Sequence, residues 1–76
     1  MRAESTLHVA KRHRGGWKVL VEGDAVESSH HDTRAEAIRA AEAVAERRPG
    51  SLVKIHREDN SLETVIPFPK GLEAAH

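Results

Sequence analysis

Residues 33–50, Thr-Arg-Ala-Glu-Ala-Ile-Arg-Ala-Ala-Glu-Ala-Val-Ala-Glu-Arg-Arg-Pro-Gly, decide the fold class. They spell out one helix. Thr33-Arg34-Ala35-Glu36 is a capping box: the Thr33 hydroxyl is placed to accept from the backbone N–H of Glu36, and the Glu36 carboxylate to reach back to the N–H of Thr33. Ala37, Ile38, Ala41, Val44 and Ala45 follow at helical spacing. Small alanines on that stripe let a helix lie close on a sheet. Arg47 and Arg48 are expected in the last turn, where cations suit the helix dipole, and Pro49-Gly50 ends the helix. Arg34, Arg39, Glu42, Glu46 and Arg47 are expected on a solvated face with no apolar stripe for a partner helix.

Strand patterns flank this helix. Leu7 and Val9 alternate with His8 and Ala10, a first strand. Arg14-Gly15-Gly16 supplies a turn. Trp17, Val19 and Val21 share one face of a second strand, with Lys18 and Leu20 on the other. Glu22-Gly23-Asp24 turns the chain again. Ala25 to His31 reads as a weaker third strand with Val26 buried. After the helix, Leu52 to His56 is a fourth strand carrying Val53 and Ile55 on one face. Glu58 to Ser61 is a hairpin turn, and Leu62 to Ile66 a fifth strand. Pro67-Phe68-Pro69-Lys70-Gly71 neither continues a strand nor starts a helix well.

The expectation is an α+β fold: a small β-β-β-α-β-β domain, an antiparallel sheet with one helix packed on one face. Residues 1–6 are expected to be a disordered N-terminus, 7–66 the single domain, and 67–76 a Pro-containing flexible tail. The expected core is Leu7, Val9, Trp17, Val19, Val21, Val26, Ile38, Ala41, Val44, Val53 and Ile55. The opposite sheet face is expected to carry His8, Ala10, Arg12, Lys18, Leu20, Glu22, Lys54 and His56.

Composition narrows the function classes. Seventy-six residues allow one domain with little room for a deep catalytic cavity. Such a domain buries only about 60% of its unfolded surface. There is no cysteine, which removes disulfides and thiolate metal sites and fits a reducing cytoplasm. No apolar run approaches the roughly 20 residues of a membrane span, and the polar start lacks a signal peptide's apolar stretch. The chain is therefore expected to be cytoplasmic and to make no use of a membrane. Twelve Lys and Arg balance twelve Asp and Glu, with six His besides. Net charge zero argues against a strongly basic nucleic-acid binder but leaves room for a local patch.

The run Gly15-Gly16-Trp17-Lys18-Val19, the helix start Thr33-x-x-Glu36-Ala37, the stretch Gly50-Ser51-Leu52-Val53, the pair His56-Arg57 and the early His8-Val9 together resemble the bacterial domain of unknown function 2188 family. The likeness runs from about Leu7 to Leu62. One departure is Asp59-Asn60, where the family pattern favours Asp-Gly. The resemblance implies a small bacterial protein with no established activity. A looser likeness, over Leu7 to about Arg48, is to the arm-binding N-terminal domains of phage integrases, which lay a three-stranded sheet in the DNA major groove. It is an analogy of fold.

Chemistry-bearing residues each admit two readings. Trp17 is read as core between sheet and helix, not as a base-stacking platform. With one Trp, one Phe and no Tyr, no stacking surface can be assembled. Lys11-Arg12-His13-Arg14 is either a phosphate-contacting run or a solvated strand end. His30 and His31 fall on opposite faces of a strand and cannot share one metal ion. His8 and His56 fall on one face and become neighbours if the first and fourth strands pair. Ser28-Ser29 beside His30-His31 is no triad, and Gly15-Gly16 no phosphate loop. No catalytic residue, metal, cofactor or small-molecule substrate is expected, and the chain is read as a non-enzyme.

Two functions remain as expectations. The first is nucleic-acid binding through the polar sheet face, with Arg12, Arg14, Lys18, Lys54, His8 and His56 as the contacting residues. The second is a protein-interaction or homodimerisation module, in which Leu20 and Ala10 or a sheet edge meet a second copy, or Phe68 docks on a neighbour.

Overall fold

The computed structural model describes residues 5–68. Five strands and one helix follow in the order β1 (Thr6–Lys11), β2 (Trp17–Val21), β3 (Ser29–His31), α1 (Arg34–Glu46), β4 (Leu52–His56) and β5 (Leu62–Pro67). They form one sheet of spatial order β3-β2-β1-β4-β5. The α+β architecture is the one expected, and the sheet is mostly antiparallel. Its central pair, β1 with β4, is parallel, with Leu7 opposite Val53 and Val9 opposite Ile55. The long excursion through β2, β3 and α1 supplies the crossover that a parallel pair needs.

Alternation along the two central strands sorts residues by face. Leu7, Val9, Val19, Val53 and Ile55 are buried under α1. The helix meets them with Ala37, Ala41 and Ala45, a stripe at four-residue spacing without measurable exposure. Ile38 and Val44 pack at the margin of this core, half-buried. The three alanines, not the bulkier pair, are the fully buried positions of the helix. Each fully buried Leu, Val or Ile contributes about 1.5–3 kcal/mol. Trp17 lies in the core as expected. Its ring is flanked by Lys11 Nζ at 5.9 Å and the Arg34 guanidinium at 5.6 Å from the ring centroid.

The helix starts where the capping box places it: Thr33 Oγ1 accepts from the Glu36 N–H at 3.2 Å. It ends two residues earlier than expected, at Glu46. Arg47 is the C-cap and Arg48 lies beyond it, so the last turn carries no cation. Arg34 is not solvated. It lies half-buried over Trp17, with Nη2 2.9 Å from Glu63 Oε1, an ion pair whose angle falls outside a directed hydrogen bond. A bulge between Ile55 and His56 sets Ile55 opposite Thr64 and His56 opposite Leu62, leaving Glu63 as the extra residue. That re-aimed carboxylate meets Arg34 and, at 3.8 Å, Arg57.

Two further expectations are corrected. Val26 is 75% exposed, because β3 begins only at Ser29 and residues 22–28 cross as turn and bend. Phe68 is core, 2% exposed. β5 runs through Pro67, which sits on a sheet edge where its missing N–H costs no ladder bond. The next residue is then stitched down: Phe68 N–H donates to Ser51 O and Gly50 N–H to Phe68 O, both at 2.9 Å. Buried Ser51 in turn donates its hydroxyl to Arg48 O. The domain thus includes the start of the expected tail, and Phe68 is not free to dock elsewhere. Thr6, expected in the N-terminal extension, opens β1. The remaining expectations of disorder, over residues 1–4 and 69–76, lie outside the described residues.

Two turns have backbone requirements. Gly16 has φ +76°, and a Cβ there would stand 2.6 Å from His31 O, so the close approach of the β1–β2 loop to β3 requires glycine. Asn60 has φ +74°, the left-handed conformation that the Asp-Gly form of this turn would meet with glycine. Asn is among the few other residues that take it readily, so the departure preserves the turn.

Phe68→Ala is expected to lower stability by about 3–5 kcal/mol, the usual cost of a large aromatic truncated in a core, and a large part of the total for so small a domain. Urea unfolding followed by Trp17 fluorescence measures it. A loss within about 0.5 kcal/mol, typical of exposed positions, would place Phe68 outside the core.

Candidate functional site

The sheet face away from α1 is open. Register sets Ala10 beside Lys18 and His8 between Leu20 and Lys54. On the outer strands, Lys18 lies beside His30, and Lys54 beside Val65. Lys18, Lys54, His8 and His56, four of the six residues picked from the sequence, therefore share this face. The other two, Arg12 and Arg14, belong to the β1–β2 loop. That loop is closed by Arg12 N–H donating to Gly16 O at 3.0 Å and Gly15 N–H to Arg12 O at 3.3 Å. Arg12 Nε lies 3.5 Å from Glu27 Oε1, which also takes His30 Nδ1 at 3.2 Å. Arg14 stands exposed, and neither Arg14 nor Lys18 is joined in a salt bridge among the described residues.

Pairing of β1 with β4 brings His8 and His56 together. Their rings meet His8 Nδ1 to His56 Nε2 at 3.0 Å. The far nitrogens are also engaged: His8 Nε2 lies 2.9 Å from Glu22 Oε1, and His56 Nδ1 3.3 Å from the carbonyl oxygen of Asn60. A chain of polar contacts thus runs across the open face from the end of β2 to the β4–β5 turn. The hydrogen bond from His8, with weaker attraction to Lys54, holds the Glu22 carboxyl below its ordinary range. Asp59 is likewise lowered, first by the Ser61 hydroxyl at 2.6 Å and then by the Ser61 N–H at 3.0 Å. Both carboxylates favour the fold above their ordinary titration range. Each loses that contribution as pH falls through its depressed value.

At the loop end of this face a groove of about 650 Å³ opens between the β1–β2 loop and the β4–β5 turn. Lys11, Arg12, His13 and Lys18 line one bank, and Glu58 and Asp59 the other. Gly15 and Asn60 line it as well. Lys54 and His8 do not line the groove, but the histidine chain reaches it at Asn60, a lining residue whose carbonyl oxygen contacts His56 Nδ1.

The structure also places the residues read as unlikely ligands. His30 falls in the Lys18 row of the open face and His31 opposite Trp17, on opposite faces as alternation requires. His31 Nε2 contacts Ser29 Oγ at 2.9 Å. Among the described residues, no group of three or more His, Cys, Asp or Glu is placed to hold a metal ion. No described helix is long and apolar enough to cross a membrane. Sequence reasoning put Glu22 on this face but missed its partnership with His8. It also missed Glu27 and the Asn60 carbonyl. Glu27 lies in the segment mistaken for strand, and a backbone carbonyl leaves no mark in a sequence.

Comparison with known proteins gives the family and nothing finer. Neither the curated proteins nor the solved structures contain a match to the chain. The likeness to phage integrase arm-binding domains finds no support there. One family's sequence model matches residues 7–66, which begins at Leu7 in β1 and ends at Ile66 in β5. It spans both central strands, the helix and the His8–His56 pair. The chain belongs to the DUF2188 family, described as uncharacterized protein conserved in bacteria.

Proposed function

We propose that the chain is a small bacterial non-enzymatic binding module of the cytoplasm that takes nucleic acid on the loop end of its open sheet face. The groove between the β1–β2 loop and the β4–β5 turn carries this reading. Its cationic bank, with Arg14 just beyond, suits phosphates. Its acidic bank suits a ligand that also offers hydrogen-bond donors, as the amino groups of cytosine and adenine do. A simple anion would be repelled by Glu58 and Asp59. A nucleic acid presents both kinds of group. Trp17 is buried, so binding rests on the backbone and base edges and not on stacking.

Within this reading the six residues differ in weight. Arg14 and Lys18 are free to contact phosphate. Arg12 must first leave Glu27. Lys54, His8 and His56 add positive potential from the middle of the face and touch the ligand only if it lies across the sheet.

A second reading is self-association. It is favoured by Leu62, 46% exposed, and Val65, 40% exposed, on strand β5, whose outer side meets no other strand among the described residues. Sedimentation equilibrium at several concentrations decides it. A dimer that Val65→Lys dissolves supports pairing at this edge, and a monomer at the highest concentration eliminates it.

Fluorescence anisotropy with a labelled random-sequence duplex tests the first reading. The double variant Arg14→Ala/Lys18→Ala should weaken binding to all sequences alike. It should also cut the slope of log affinity against log salt by about two, one per lost phosphate contact. Glu27→Gln, which releases Arg12, should tighten binding. A double variant that binds as the parent does sinks the proposal.

A further inference from the structure

The contact between His8 and His56 constrains the protons that the two rings hold. The ring centroids lie 5.3 Å apart, against 3.0 Å for the facing nitrogens, and the difference is about two ring radii. The rings therefore meet edge to edge, each nitrogen aimed at the other. Glu22 Oε1 and Asn60 O are both acceptors, so His8 Nε2 and His56 Nδ1 must each carry a proton to donate. With one proton per ring, the two facing nitrogens would then both be bare, lone pair against lone pair at 3.0 Å. Something electrophilic has to lie between them.

A metal ion does not fit. Midway along a head-on contact of 3.0 Å, it would sit 1.5 Å from each nitrogen, whereas zinc needs about 2.0–2.1 Å. A proton does fit, since 3.0 Å is the ordinary length of a hydrogen bond donated by N–H. All three contacts are satisfied by three protons on four ring nitrogens, which gives the pair one positive charge.

We propose that His8 and His56 act as a single unit that shares one imidazolium proton, a proton-dependent latch between β1 and the β4–β5 turn. With a proton lost, one of the three bonds fails. With a fourth gained, two N–H groups and two positive charges face each other and the rings must part. Either change loosens the tie from β1 to the turn whose residues Glu58 and Asp59 form the acidic bank of the groove. The inference does not depend on what the groove binds.

The charged groups around the pair are few. Glu22 stands at the end of β2 and Lys18 farther along that strand. Lys54 flanks His8 on β4. The turn adds Glu58 and Asp59, with Arg57 beside them. On this face β5 sets Val65 beside Lys54 and Leu62 beside His56, neither of them charged. Glu22 is the anionic neighbour of the pair and Lys54 its cationic one.

A histidine-selective NMR titration tests this, following the ring Hε1 resonances of the parent, His8→Gln and His56→Gln with a chelator present. In the parent, the His8 and His56 signals should both move in the same two steps, because coupled groups titrate as a pair. Long-range nitrogen–proton spectra between those steps should show His8 Nε2 and His56 Nδ1 protonated, with the facing nitrogens averaged. Each Gln variant should leave the surviving ring with one step. If either variant fails to fold, the parent's titration decides alone. Two rings that each move in one step of their own, or a bare outer nitrogen between the steps, would overturn the proposal.

Discussion

The parallel pairing of β1 with β4 is the constraint on which the rest of this domain depends. It sets Leu7 beside Val53 and Val9 beside Ile55 in the middle of the sheet, directly under the alanine stripe of α1. Period-two alternation then leaves no choice for the residues between them. His8, Lys54 and His56 must face the other way. One ladder thus fixes both the hydrophobic core and the polar face. A slip of one residue between these strands would bury the histidines and expose the core. At the far end the same ladder continues with Leu52 N–H donating to Ser5 O at 2.9 Å, beside the bonds that tie Phe68 to Ser51 and Gly50.

A helix on one side only makes the domain asymmetric in packing and in the chemistry of its two faces. The α1 face is occupied by Trp17, Arg34 and Glu63, a cation held between an aromatic ring and a carboxylate. It serves the fold. The open face holds polar groups whose partners are mostly one another: Glu22 with His8, His8 with His56, Glu27 with Arg12 and His30. Those contacts are half-exposed and individually weak in water.

Local signals in the sequence were legible. The capping box, the alanine spacing and the Trp17 alternation located the helix, two strands and the faces of both. What could not be read was non-local. The pairing of β1 with β4 joins residues about 46 apart, and nothing in either strand names its neighbour. Val26 was misread because an apolar residue between polar ones imitates alternation even in a bend. Phe68 was misread because the prolines around it signal an end to structure, while burial and two hydrogen bonds outweigh that signal. Arg34 looked solvated because a long cationic side chain usually is, yet the bulge at Ile55/His56 delivers a carboxylate to it. Of the open face, the common side of Lys18, Lys54, His8 and His56 was legible, but not the place of Arg12 and Arg14 in the loop or the contacts that restrain Arg12, His8 and His56.

In the proposed function the open face at its loop end is the working surface and the helix side the scaffold. The most direct measurement is a two-dimensional nitrogen–proton NMR titration of the labelled protein with a short duplex, at low and then physiological salt. The account predicts that amides of residues 11–18 and 58–60 move together at low salt and relax as salt is added, while those of Glu36 to Glu46 stay still. No movement at low salt, where phosphate attraction is strongest, or movement centred on the helix, would contradict it.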